Sequence, residues 1–96
     1  MTPQEVADAI EGATGRMCAV MEDMGSDAPS VYVSRGSYEV IVDCGDYPPE
    51  VVFDHEGSRG EHYCPWADTS PGEIRDFLNS GNRPARATWR LREDGE

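Results

Sequence analysis

Between residues 38 and 44, Tyr38, Val40, Val42 and Cys44 alternate with Glu39, Ile41 and Asp43. A period of two belongs to a β-strand, whose successive side chains point to opposite faces. One face is fit for burial and the other carries carboxylates, so the chain must build a sheet covered on one side. A second such run follows, with Val51, Phe53 and His55 on one face and Glu50, Val52, Asp54 and Glu56 on the other. Pro48-Pro49 separates the two runs and forces an extended connection. Across residues 39–56 there are six carboxylates and no lysine or arginine, although like charges facing each other across a sheet cost stability.

The rest of the chain supplies the cover. Thr2-Pro3-Gln4-Glu5 is a capping box with proline at the first helical position. Val6, Ile10, Ala13, Met17, Val20 or Met21, and Met24 then recur at steps of four and three, which predicts a helix of about 22 residues stopped by Gly25. Gly12 and Gly15 fall inside it as a bend or a close contact. The Met17, Met21 and Met24 group is expected in the core, with self-association along the stripe as the alternative. Residues 31–34 pair with 38–44 around a tight turn at Arg35-Gly36. A short strand is expected around residues 62–64. Ser70-Pro71-Gly72-Glu73 repeats the helix opening, so a second helix runs to about Ser80, with Ile74, Phe77 and Leu78 inward and Gly81 as its stop. A last strand is expected over residues 85–92, with Ala87, Trp89 and Leu91 inward and Arg86, Thr88, Arg90 and Arg92 outward. Residues 93–96 read as a frayed tail.

The order is α-β-β-β-β-α-β. This is an α+β fold: one small domain over residues 1–96, with a mainly antiparallel sheet of four to five strands and two helices on one face.

Charge narrows the function classes. Nineteen acids face eight bases, all arginine, for a net charge of −11. Binding to nucleic acid or to an anionic membrane needs a basic surface, so neither is expected. No basic stretch precedes an apolar run at the N-terminus, and no segment approaches the roughly 20 apolar residues of a membrane span. A cytoplasmic location is expected, with Cys18, Cys44 and Cys64 as free thiols.

Up to Gly81 the chain holds 16 acids and 4 arginines; from Asn82 it holds 3 acids and 4 arginines. One consequence is ordinary: a C-terminal strand beside the acidic strands would set Arg86, Arg90 and Arg92 against Glu39 and Asp43, or against Asp54 and Glu56. Eight arginines still leave at least eleven carboxylates unmatched. Glu39, Asp43, Asp46, Glu50 and Asp54 are the leading candidates for a partner-binding surface. Asp8, Glu11, Glu22, Asp23 and Asp27 form a secondary group. Such a surface presents a field like that of a phosphate backbone and favours a basic partner.

Other chemistry is only half suggested. Cys44, Cys64, His55 and His62 are the residue types that hold zinc, but His62-Tyr63-Cys64 is the single close pair and no CxxC is present. Asp43, Asp46 and Glu50 fit no calcium loop of known spacing. Neither metal nor cofactor is therefore expected. The residue types of a Cys-His-acid hydrolase are present without any local motif that would set their geometry, so no enzyme is expected. Trp66 is expected to cap the core where the fourth strand feeds the second helix.

In size and charge balance, though in no motif, the chain resembles anti-CRISPR and anti-restriction proteins. That resemblance implies a phage or mobile-element inhibitor acting in the host cytoplasm. As a monomer or weak homodimer, it would block the basic nucleic-acid-binding site of a defence complex by mimicry. The alternative is a small zinc-binding or housekeeping domain whose charge serves solubility.

Overall fold

The computed structural model describes residues 2–21, 29–45 and 49–91. Helix α1 spans Pro3–Thr14 and helix α2 spans Pro71–Ser80. Six strands are described: β1 Ala19–Met21, β2 Ser30–Arg35, β3 Tyr38–Asp43, β4 Glu50–His55, β5 Gly60–Pro65 and β6 Thr88–Leu91. They form one antiparallel sheet in the order β1-β2-β3-β4-β5-β6. The fold is α+β, with one strand more than the expected four to five.

Both helices begin as the sequence predicts. The Thr2 and Ser70 hydroxyls accept from the backbone N–H groups of Glu5 and Glu73, whose carboxylates accept in return from the Thr2 and Ser70 N–H groups. These returned bonds hold both carboxyl groups below their ordinary pKa, and at Glu73 the Arg86 guanidinium adds to the effect. A depressed carboxylate contributes stability above the ordinary carboxylate range and loses it as pH falls through the depressed value. Thr2→Ala and Ser70→Ala should each lower stability by about 1 kcal/mol in thermal or denaturant melts.

α1 ends well before Gly25. Gly15 takes the left-handed conformation at φ 72°, and its N–H donates to the Glu11 carbonyl. The Thr14 hydroxyl turns back on the Ile10 carbonyl, and the Glu11 carboxylate accepts the Cys18 N–H at 2.8 Å. The chain leaves the helix along that bond and enters β1. The apolar spacing through Met17 and Met21 is thus not a helical stripe. Met17 is 89% exposed and Met21 47%, so neither is core, while Met24 and Gly25 lie outside the described residues.

β2 and β3 close on a two-residue loop, Gly36-Ser37, one residue later than the expected Arg35-Gly36. Gly36 has φ 62°, the glycine-first signature of a type II′ turn. Val31, Val33, Val40, Val42, Val51, Phe53 and Cys64 project from one face of the sheet onto Val6, Ala7 and Ile10 of α1 and Ile74, Phe77 and Leu78 of α2. Phe77 meets Phe53 and Tyr38 edge-on, each at 5.2 Å. Trp66, in a 3₁₀ turn over Trp66–Asp68, packs against this core as expected.

β6 is shorter than the strand expected over residues 85–92, because the Ala87 N–H donates to the Pro84 carbonyl in a turn just before it. Trp89 and Leu91 do face the helix side, opposite His62 and Gly60, but the sheet extends beyond the helices there. They are 49% and 66% exposed, so the expected burial is not found. No helix is long and apolar enough to cross a membrane among the described residues.

Candidate functional site

With both helices on one face, the opposite face of the sheet meets no other element among the described residues. Strand register fixes its pattern. A central row runs Ala19, Tyr32, Ile41, Val52, Tyr63 and Thr88 across the six strands. On one side of it Ser34 lies opposite Glu39 and Glu39 opposite Asp54, with Glu61 opposite Arg90 on the last two strands. On the other side the row is Met21, Ser30, Asp43, Glu50 and Pro65. An aliphatic and aromatic strip thus separates two rows of carboxylates. Neighbours within a row are about 5 Å apart, and the rows about 13 Å apart, by strand spacing and rise.

The like-charge pairs that the sequence made puzzling are therefore real: Glu39 faces Asp54, and Asp43 faces Glu50. Hydrogen bonds ease them. The Tyr32 hydroxyl donates to Glu39 Oε2 at 2.7 Å, the Gly45 N–H to Asp43 Oδ1 at 3.2 Å, and the His55 N–H to Asp54 Oδ1 at 2.8 Å. Its bond to Glu39 raises the Tyr32 phenol above its ordinary pKa.

Among the described residues, one cation belongs to the face. Arg90 lies with its guanidinium carbon 4.3 Å from the centre of the Tyr63 ring, and its Nη2 is 2.8 Å from Glu61 and 2.9 Å from Glu50. Set against Glu39, Asp43, Glu50, Asp54 and Glu61, it leaves four negative charges in excess among the described residues. The expected C-terminal arginine pairing is thus redirected. β6 joins β5 rather than an acidic run, so Arg90 pairs with Glu61 and Glu50, while Arg86 binds Glu73 and the Asp68 carbonyl on the helix side. Glu39 and Asp43 have no ion pair among the described residues, and Arg92 lies outside them.

Of the leading candidates, Glu39, Asp43, Glu50 and Asp54 share this face, whereas Asp46 lies outside the described residues. The secondary group is not brought to it. Asp8 and Glu11 are on α1, in the other layer, and Glu11 is occupied in ordering the chain before β1. Glu22, Asp23 and Asp27 lie outside the described residues. Sequence reasoning missed Glu61, Tyr32 and Tyr63. Counting by twos from the inward-facing Val31 and Cys64 would have placed all three outward.

The zinc candidates are dispersed. His55 stacks on Tyr38 at 4.9 Å, and His62 meets Trp89 edge-on at 5.1 Å. Cys64 is buried with its sulfur 2.8 Å from the Thr69 hydroxyl oxygen. Among the described residues, no three His, Cys, Asp or Glu side chains come together in a way that would hold a metal ion. The three cysteines are free thiols. Burial, then the Glu11 carboxylate, pushes Cys18 up to about 11, and burial followed by Asp43 raises Cys44. Neither thiol is activated as a nucleophile.

Compared with known proteins, the chain matches no family model and has no significant match among curated proteins or solved structures.

Proposed function

We propose that this chain is a protein-binding inhibitor whose acidic sheet face enters the basic, nucleic-acid-binding site of a defence complex, in the manner of anti-CRISPR and anti-restriction proteins. The observation that supports this reading is the arrangement of Glu39, Asp54 and Glu61 in one row and Asp43 and Glu50 in another, flanking an apolar strip and holding, among the described residues, a single arginine. A carboxylate about every 5 Å along a row is a charge density of the same order as the one phosphate per about 3.4 Å of axis on each strand of a duplex. Such a face draws in a cationic groove quickly at low ionic strength. The half-buried Tyr32 and Ile41 of the strip supply what a phosphate backbone lacks: a rigid ring and aliphatic surface to exclude water once docked. The reading places the protein in the host cytoplasm as a monomer or weak dimer, with neither metal nor catalytic group required.

Binding to purified nucleases and effector complexes, measured by calorimetry or surface methods, tests it. The affinity for the target should fall at least about tenfold between roughly 50 and 500 mM salt. The combined change Glu39→Gln, Asp43→Asn and Asp54→Asn should cost about ten- to hundredfold at low salt. An affinity indifferent to both salt and these substitutions contradicts the proposal.

A further inference from the structure

We propose that this face reads arginine in particular: a guanidinium of the basic partner lies over the Tyr32 ring, between Glu39 and Asp43, as Arg90 of this chain lies over Tyr63 between Glu61 and Glu50. The inference rests on the reading of the face as a docking surface for a basic protein and names the group that the surface recognises.

The chain supplies its own template. Arg90 starts opposite Glu61, crosses the Tyr63 ring at 4.3 Å, and places one nitrogen within 3 Å of carboxylates from both acidic rows. A flat guanidinium meets both demands at once, lying on the ring while its Nε donates to Glu61 Oε2 at 2.9 Å and its Nη2 forms a close ion pair with Glu50. A lysine ammonium is a point charge, and it cannot stack and fork in this way.

Tyr32 occupies the corresponding place toward the other end of the central row, with Ile41 and Val52 between the two tyrosines. Glu39 and Asp43 stand on the neighbouring strand, opposite Ser34 and Ser30, and so bracket Tyr32 from both acidic rows. Their positions are fixed. The Tyr32 hydroxyl holds Glu39 through Oε2, and the Gly45 N–H holds Asp43 through Oδ1; the other oxygen of each carboxylate has no partner among the described residues. The difference lies in the adjoining strand. β6 delivers Arg90 to Tyr63, whereas β1 sets Ala19 opposite Tyr32. Ala19 is too small to lie across that ring, so among the described residues no guanidinium covers it, and carboxylates outnumber cations around it. Complementarity then selects an arginine-bearing surface, the residue type favoured for phosphate recognition in nucleic-acid grooves.

Hexa-arginine and hexalysine peptides carry equal charge and differ chiefly in the cationic group, so they test the inference on the whole chain at low salt. Hexa-arginine should bind roughly two- to fivefold more tightly than hexalysine and shift the Tyr32 ring resonances in NMR spectra. Tyr32→Ala should abolish the preference, and Tyr32→Phe, which keeps the ring, should retain it. Equal affinity for the two peptides, or a preference that survives Tyr32→Ala, overturns the arginine site while leaving the docking surface standing. Failure of both peptides to bind at low salt overturns the docking surface itself. Should the alanine variant not fold, the wild-type Tyr32 ring decides: shifts of equal size with both peptides also overturn the arginine site.

Discussion

Phe77→Ala should remove about 3–5 kcal/mol of stability, a large share of what a domain of this size possesses. Phe77 is fully buried and joins the layers: it comes from α2, meets Phe53 of β4 and Tyr38 of β3 edge-on, and sits beside Ile74 and Leu78 in one cluster. Removing the ring forfeits its transfer from water and leaves a cavity walled by two strands that cannot collapse without losing register. Urea denaturation followed by circular dichroism would measure the loss as a fall in the midpoint with little change in slope. A change under 1 kcal/mol would mean that the layers are not held together through this residue.

The second large effect is expected at Gly60, in the first position of β5. A methyl group there would lie against the Arg90 carbonyl and 2.7 Å from Cζ2 of Trp89. The first obstacle is backbone, so rotation of a side chain cannot relieve it, and β6 must move away from β5. Gly60→Ala should cost about 1–3 kcal/mol. It should also change the environment of the Trp89 indole and loosen amide protection across β6 before the rest of the sheet. Because β6 delivers Arg90, the same substitution should weaken the contacts of Arg90 with Glu61 and Glu50. Hydrogen exchange resolved by residue would show whether the loss is confined to β6, as expected, or spread through β2 and β3.

Much of this molecule is legible in its sequence, for reasons that can be traced to particular residues. Thr2 to Glu5 and Ser70 to Glu73 specify both helix starts, because a capping box is a local device satisfied within four residues. The faces of β3 and β4 follow from alternation, since a one-residue slip would bury Glu39 and Asp43. The end of α1 was not legible. The spacing of Met17 and Met21 mimics a helical stripe, and what overrides it is Gly15 in a left-handed conformation, together with Glu11 capturing the Cys18 N–H. The exposure of Trp89 and Leu91 depends on how far the sheet extends past the helices, which no local pattern records.

The candidate site was legible in part. Glu39, Asp43, Glu50 and Asp54 were identifiable from charge and period, but their gathering into two rows depends on register between strands. The partner of Arg90 depends on which strand β6 joins, and an edge strand that follows a helix can in principle add to either side of a sheet. The role of Tyr63 emerges only when Arg90 is seen lying on it.

Binding should follow where the negative charge lies rather than how much there is. Two double variants of equal net charge decide this: Glu39→Gln with Asp43→Asn on the open face, and Asp8→Asn with Asp76→Asn on the exposed surfaces of α1 and α2. Measured against the same basic target at low salt, the first should lose about tenfold in affinity and the second less than about twofold. Equal losses from the two pairs, or a larger loss from the helix pair, would contradict the assignment of binding to the sheet face.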